Sequence, residues 1–571
     1  MGETTIKDVL LQELVTAVKD DFAGCVTDII LSHPKHTDHG DYATAVAMEI
    51  GKKVGMAPLA VAEKLRDRLD GTISAVATIT IAGPGFLNFY LARSFFSEQV
   101  MEACKSDGEW GRGTEEQGQE ILFEYTSPNL FKPLHVGNLV GNIVGESMAR
   151  LFEMQGATVR RINYPSDIGL TVAKGVWGLR KSSGDPASIA DLGTAYRFGN
   201  EAHTLGGEAA EEIEAVNQSL YAGDDAAVVE LWERGKETSL THLNALCQQL
   251  GTQFDTVLFE SDAGPIGRAL VLKHTGGRHG IFEKDAGAVI FRGEKHGLHT
   301  RVFINSRDLP TYEAKDLGNF LLKQKQYPDW TRSVVVTGNE QREYFQVIIA
   351  AIRAVFSIND DRSLEHIATG FLTLAGGEKM SSRKGNVLTG ESLLADLREE
   401  AVARAKETRA DDVQALAEQI AVAALKYQIL RQTVGSDIVF DVQQAFSFDG
   451  DSGPYLQYSH ARALSVVAKA GEVGVAPFAK GGAVPDVVYP VERLLCRFGE
   501  VVATAMRTRS PHHMVAYLTE LAGGFNSWYA VERIAATDDA FASYKVLVAR
   551  AVACTLKQGL WLLGIVAPEK M

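Results

Sequence analysis

The sequence predicts an α/β protein of several domains. A parallel-sheet domain is split by a helical insertion, a small α+β unit precedes it, and a helical bundle follows. Three observations carry this. The chain has 571 residues, too many for one compact core and suited to about three or four domains. A strand, loop, helix and strand follow one another over 121–164; this is a βαβ unit, whose right-handed crossover requires a parallel sheet. Beyond residue 390 the apolar residues recur almost entirely at helical spacing.

Residues 1–110 are read as the α+β unit. Within it, 61–69 has helical spacing and 73–91 is β-branched and aromatic around Gly83-Pro84-Gly85. A polar, glycine-bearing stretch over 106–120 leads into the α/β domain, expected at 116–395. Its first strand, 121–125, closes on Thr126-Ser127-Pro128-Asn129. Its first helix, 139–155, repeats Leu139, Ile143, Met148, Leu151 and Phe152 and stops at Gly156; a strand over 157–164 follows. Helical patterns over 174–263 form the insertion, and strand patterns resume at 288–291, 302–304 and 333–336. Residues 396–571 are the helical end, interrupted by a Gly/Ala/Pro-rich loop at 471–485.

Composition excludes several classes. With 46% hydrophobic and 23% charged residues, the chain is neither disordered throughout nor a disulfide-knotted miniprotein. Its apolar runs are too short for a bilayer span, and residues 1–20 mix charge with apolar residues instead of forming a signal core. A cytoplasmic, reducing location is expected. Cys25, Cys104, Cys247, Cys496 and Cys554 are scattered without a CxxC pair, so no cysteine-based metal site is predicted. The net charge of −15 argues against a broad phosphate-binding surface. Charge is local, however, and from Asp441 onward 12 basic and 12 acidic side chains balance.

Two loops carry chemistry. Ser127-Pro128-Asn129-Leu130-Phe131-Lys132-Pro133-Leu134-His135-Val136-Gly137-Asn138 lies after the first strand of the βαβ unit and before its helix. Ligands gather there, at the carboxyl edge of a parallel sheet, and the helix N-terminus offers unpaired N–H groups to a phosphate. His135 can donate to a phosphate oxygen, Gly137 permits close backbone approach, and Lys132 adds a charge. The second loop, Lys379-Met380-Ser381-Ser382-Arg383-Lys384-Gly385-Asn386, sets three cations and two hydroxyls where they can neutralise a leaving pyrophosphate. Neither a P-loop nor a Rossmann GxGxxG motif is present.

His135-Val-Gly-Asn followed by Lys379-Met-Ser-Ser-Arg resembles the HIGH and KMSKS signatures of class I aminoacyl-tRNA synthetases. The surrounding sequence is similar to the arginyl-tRNA synthetase family, through Glu124-Tyr-Thr-Ser-Pro-Asn129, Gly453-Pro-Tyr-Leu-Gln-Tyr-Ser-His-Ala-Arg462, His39-Gly-Asp-Tyr-Ala-Thr44, Gly83-Pro-Gly-Phe-Leu-Asn88 and Phe525-Asn-Ser-Trp-Tyr529. The resemblance implies a Rossmann-type catalytic domain between an N-terminal tRNA-elbow-binding domain and an all-α anticodon-binding bundle. It implies L-arginine, ATP with Mg²⁺, and tRNA(Arg) as partners, and a monomer.

It also implies roles for particular residues. Glu124 and Asp316 would take the guanidinium, which carboxylates bind through paired hydrogen bonds. Tyr312 lies along the side chain, and Ser127, Asn129 and Gln341 lie near the polar groups. His135, Gly137, Asn138, Lys379, Met380, Ser381 and Ser382 would bind ATP, with Lys132 and Lys384 adding to the catalytic charge. For tRNA, Phe86 offers a stacking face and Asn88 an amide; Tyr455, Tyr458, Arg462, Tyr529 and Met571 are the anticodon-side candidates.

The sequence departs from the family pattern in places. Asn138 replaces the second histidine of HIGH, a form shared with class I lysyl-tRNA synthetase, which leaves that activity as an alternative. A synthetase-derived tRNA binder without catalysis is the other alternative. Asn163-Tyr-Pro-Ser-Asp167-Ile-Gly169 replaces the usual NHVGDWG, and Tyr344 stands where many members carry histidine.

Overall fold

The computed structural model describes residues 5–25, 28–105, 108–182, 184–276, 280–358, 361–375, 389–405, 412–479 and 481–571. Lys379, Met380, Ser381, Ser382 and Lys384 lie outside the described residues.

The centre is a five-stranded parallel sheet in the order Ser363–Thr369, Arg332–Gly338, Glu120–Glu124, Thr158–Asn163, Thr256–Val257. Strand Glu120–Glu124 is central, so both its faces are covered and it reads as a nearly continuous apolar run. Ile121 and Phe123 pack on helix Val136–Met154, while Leu122 packs with Leu317, Phe320 and Ile348 from helices Tyr312–Gln326 and Arg342–Phe356. Glu124 shares the parity of Leu122 and falls at the carboxyl end of the strand.

Helices Leu170–Ser182, Ile189–Leu205, Glu208–Ala222 and Ala226–Gln249 fill the segment between the fourth and fifth strands of that order around their own core. The strand patterns at 288–291 and 302–304 do not join the central sheet. They pair antiparallel in a separate three-stranded sheet of Glu283–Asp285, Ala288–Phe291 and Arg301–Ile304; alternation reports pleating and says nothing of the pairing partner.

The first unit is a three-stranded antiparallel sheet, with Phe86–Leu91 between Tyr42–Thr44 and Val76–Ala82, covered by helices Ile6–Asp21, Val46–Val54 and Pro58–Leu69. It docks on the C-terminal helices through His33–Glu500 at 3.1 Å and Arg93–Glu492 at 2.9 Å. His33 also meets the Asp41 carbonyl at 2.9 Å.

The C-terminal helices share one continuous apolar core with the back of the sheet. A polar clamp reinforces the junction. Ser147 and Arg150, on helix Val136–Met154, donate to the Leu562 and Trp561 carbonyls at 2.9 and 2.7 Å. The buried Lys426 donates to the Leu250 and Gly564 carbonyls, each at 2.6 Å. Leu250 caps helix Ala226–Gln249 and Gly564 follows the end of helix Ala542–Leu562, so the ammonium ties two helix ends together. Burial and the nearby Arg150 lower the Lys426 pKa to about 7, against the pull of Glu146. Among the described residues, no helix is long and apolar enough to cross a membrane.

Candidate active site

The loop after strand Glu120–Glu124 is tightly constrained. Thr126, Ser127 and Phe131 all adopt positive φ, at 75°, 30° and 62°, conformations that cost energy in side-chain-bearing residues and collect at functional sites. The loop is held by its neighbours: Ser127 Oγ accepts from the Tyr164 N–H at 3.3 Å, and Leu130 N–H donates to the Ser166 carbonyl at 3.0 Å. Asn129 pairs with Ser166 through the backbone and keeps a half-buried side chain.

His135 is the N-cap of helix Val136–Met154. Its Nδ1 accepts from the Gly137 N–H at 3.0 Å, which places the ring proton on Nε2 and makes that nitrogen a donor facing outward. A Cβ on Gly137 would sit 2.7 Å from His135 Cε1, so glycine is required for this ring position. Burial within the loop and the adjacent Lys132 hold the His135 pKa below its usual value, against Glu340. The ring is thus a neutral hydrogen-bond donor at pH 7, beside the positive end of a helix.

Asn138 has a task that sequence reasoning missed. Its Oδ1 accepts the His135 N–H at 3.2 Å, completing a reciprocal cap, and its Nδ2 donates to the Thr126 carbonyl at 3.3 Å. The amide holds the loop instead of presenting both polar ends to a ligand. Lys132 lies 5.8 Å from the Tyr196 ring.

The second signature loop falls in 376–388, outside the described residues, yet the described residues after it return to the first. Thr389 pairs with His135, and the Gly390 N–H donates to the Leu134 carbonyl at 2.8 Å. Glu391 Oε1 then accepts from the Leu134 N–H at 3.2 Å and lies 3.1 Å from His242 Nε2.

An acidic pocket lies at the carboxyl end of strand Glu120–Glu124. Glu124 and Asp316 line one cavity of about 30 Å³ together with Asn319, Lys323 and Phe345, room for about two or three waters. Four acids surround the buried Tyr164 phenol: Glu260, Asp316, Glu124 and Asp167. Three of them hold a lysine: Glu124 with Lys323 at 2.9 Å, Glu260 with Lys315 at 2.6 Å, and Asp167 with Lys236 at 2.6 Å. Asp316 does not. It accepts from the Tyr344 hydroxyl at 2.6 Å, and neither Lys315 nor Lys323 is paired with it. Burial, with Glu124 and Glu260 adding like charge, pushes the Asp316 pKa up to about 8, although Tyr344 and Lys323 pull the other way.

Tyr312, at the start of the same helix, is 49% exposed, with its ring 5.0 Å from Lys315 Nζ. Gln341 is exposed, at the N-cap of helix Arg342–Phe356, without a side-chain cap bond. Tyr344, Tyr164, Asn319 and the Glu124–Lys323 pairing were not assigned to the pocket from sequence. A usable signal was present: residues 312, 316, 319 and 323 fall on one helical face.

The nucleic-acid candidates divide. Phe86 is 40% exposed and can offer a ring face, whereas Asn88 is 3% exposed; its inward position in the middle strand removes the amide from a partner's reach, which corrects that expectation. In the C-terminal bundle Arg462 joins two other candidates, Tyr458 and Tyr529. It donates to Tyr458 at 2.8 Å and to Asn526 at 2.6 Å, and stacks over Tyr458 and Tyr529 at 4.5 and 5.9 Å. Tyr455 accepts from Asn526 at 3.0 Å. Met571 packs half-buried against the bundle core.

A parallel sheet with a histidine-capped loop at its carboxyl edge, closed by the returning segment at Thr389, defines a class I aminoacyl-tRNA synthetase. The family models for tRNA synthetases class I (R), catalytic domain, match residues 99–442; the DALR anticodon binding domain matches 456–571 and the arginyl tRNA synthetase N terminal domain 4–91. The chain belongs to the arginyl-tRNA synthetase family. It is 31% identical over 563 residues to the arginine–tRNA ligase of Streptococcus equi, covering 95% of this chain and 96% of that one. It is 30% identical over 557 residues to that of Streptococcus pyogenes, with the same coverage of 95% and 96%. The Thermus thermophilus arginyl-tRNA synthetase superposes with a TM-score of 0.79 at 25% identity, covering 99% of this chain and 100% of that one. The fold is also that of the Plasmodium falciparum enzyme, at TM-score 0.80 and 18% identity over 100% of both chains. The protein is an aminoacyl-tRNA synthetase of this family, acting as an arginine–tRNA ligase; the lysyl and non-catalytic alternatives receive no support.

Proposed function

We propose that this chain joins arginine to tRNA(Arg) in the cleft between His135 and Asp316. The observation that carries the assignment is Asp316, which alone of the four acids around Tyr164 lacks a cation among the described residues. A half-buried acid in that condition favours a charged, multi-donor ligand. Arginine would enter past Tyr312, set its guanidinium between Asp316 and Glu124, and leave its α-amino and carboxylate groups near Ser127, Asn129 and Gln341.

In the first step an arginine carboxylate oxygen attacks the α-phosphorus of ATP, and pyrophosphate leaves. In the second, a terminal ribose hydroxyl of the tRNA attacks the carbonyl carbon of arginyl-adenylate, and AMP leaves. Neither step needs a protein nucleophile. His135 Nε2–H and the helix N-terminus would donate to phosphate oxygens, with Lys132, Lys379 and Lys384 adding charge and Gly137, Met380, Ser381 and Ser382 lining the nucleotide. Mg²⁺ would come with ATP, held by the nucleotide's own phosphates. Phe86, Tyr455, Tyr458, Arg462, Tyr529 and Met571 are proposed to face tRNA, and the protein to act as a cytoplasmic monomer.

The test is ATP–pyrophosphate exchange across the twenty amino acids, with and without bulk tRNA. Exchange dependent on arginine and on tRNA is expected. Exchange driven by lysine, or none in the presence of arginine and tRNA, refutes the reading.

A further inference from the structure

We infer that Asn319 and Lys323 determine which side chain the pocket accepts: Asn319 supplies an acceptor to the guanidinium, and Lys323 fixes Glu124 so that one carboxylate oxygen stays turned to the ligand. The inference deepens the arginine reading above and rests on it.

Asp316, Asn319 and Lys323 follow one another along a single face of helix Tyr312–Gln326 and all line the cavity shared with Glu124. Asn319 Nδ2 and Lys323 Nζ both donate to the same atom, Glu124 Oε2, each at 2.9 Å. Two donors on one oxygen fix the carboxylate plane, and among the described residues no donor meets its other oxygen. The bond from Nδ2 also fixes the orientation of the Asn319 amide, so Oδ1 is the atom left over. That Oδ1 is buried and has no hydrogen-bond partner. A buried acceptor without a donor is costly in a folded protein.

Donor chemistry identifies what satisfies this set. Glu124 Oε1, Asn319 Oδ1 and Asp316 are acceptors, and a guanidinium offers five N–H donors in a plane with no acceptor of its own. Citrulline has the same length and shape but replaces one NH₂ by a carbonyl oxygen, which would confront one of these acceptors. Sites that hydrogen-bond a substrate group reject analogues lacking it far more strongly than sites that sense only size. Lys323 acts through Glu124 and is a positioning residue. Without its ammonium, Glu124 Oε2 keeps only the Asn319 donor, and the carboxylate plane is no longer held by two bonds.

The experiment is steady-state aminoacylation of bulk tRNA with arginine and citrulline by Asn319→Ala, Lys323→Arg and Lys323→Met, each checked for folding by thermal melting. Asn319→Ala is expected to lower kcat/KM for arginine about 10- to 100-fold, mainly through KM. The KM for ATP should not move, and preference for arginine over citrulline should fall about tenfold. Lys323→Arg keeps the charge on Glu124 and should retain the preference; Lys323→Met should lose it and shift the pH profile of the arginine KM. If Lys323→Met does not fold, Asn319→Ala and Lys323→Arg decide. A folded Asn319→Ala with the parent's arginine KM and citrulline rejection overturns the inference. Absence of arginine charging by the unmodified protein refutes the underlying reading instead, and is scored separately.

Discussion

The vacant acid makes arginine binding depend on pH. Asp316 is held near pKa 8 by burial and by the like charges of Glu124 and Glu260, with only the Tyr344 hydroxyl bonded to it. In the empty pocket at neutral pH the carboxyl carries a proton, which an incoming guanidinium must displace. The competent fraction is the ionised fraction, about 1% at pH 6, about 10% at pH 7 and about half at pH 8. The arginine KM should therefore fall about tenfold per pH unit up to pH 7 and level off above pH 9. The arginine concentration series is run from pH 6 to 9.5 with saturating ATP and tRNA. Calorimetry in two buffers of different ionisation heat should show about 0.9 proton released per arginine at pH 7. Asp316→Asn should abolish the slope and lower kcat/KM for arginine about 10- to 100-fold. A KM flat across this range, with no buffer-dependent heat, would refute the claim that Asp316 receives the substrate's charge. For the protein without arginine the sign reverses. The folded state holds a proton that the unfolded chain has released above about pH 4, so this group lowers stability as pH rises from about 4 to about 8. In melts without substrate, Asp316→Asn should flatten that part of the stability profile.

Other outcomes follow from the same geometry. His135→Asn preserves a good helix cap but removes the Nε2 donor, and should cut tRNA-dependent pyrophosphate exchange about 100-fold while melting within a few degrees of the parent. Gly137→Ala, whose Cβ would meet the His135 ring at 2.7 Å, should lower kcat without a comparable loss of stability. Lys426→Met strands the Leu250 and Gly564 carbonyls and should cost about 2–4 kcal/mol in denaturant unfolding. Arg462→Ala frees Tyr458 and Asn526 from their shared partner and should raise the KM for tRNA about tenfold, leaving the arginine KM in place.

Much of this protein is local and therefore present in its sequence. Alternation and helical spacing are properties of short windows, so the βαβ unit around 121–164 and the helical end beyond 390 were legible without coordinates. Signature loops are contiguous in sequence because the sheet edge and helix terminus need those groups side by side, which is why His135 could be proposed from its place in the βαβ unit together with the Lys379–Asn386 loop and the family resemblance. Pairing at a distance has no such local trace. The strand patterns at 288–291 and 302–304 did not reveal that they leave the central sheet, and the outward or inward parity of Asn88 emerged only with its neighbours in place. The pocket shows the limit most clearly. Glu124 and Asp316 are two acids in the sequence, equal in kind. Only the packing of helix Tyr312–Gln326 on the sheet gave Lys323 to one and left the other with a phenol. Charge is conserved along a chain whatever its fold, but which charges cancel depends on separations of a few ångströms, and tertiary structure alone sets those.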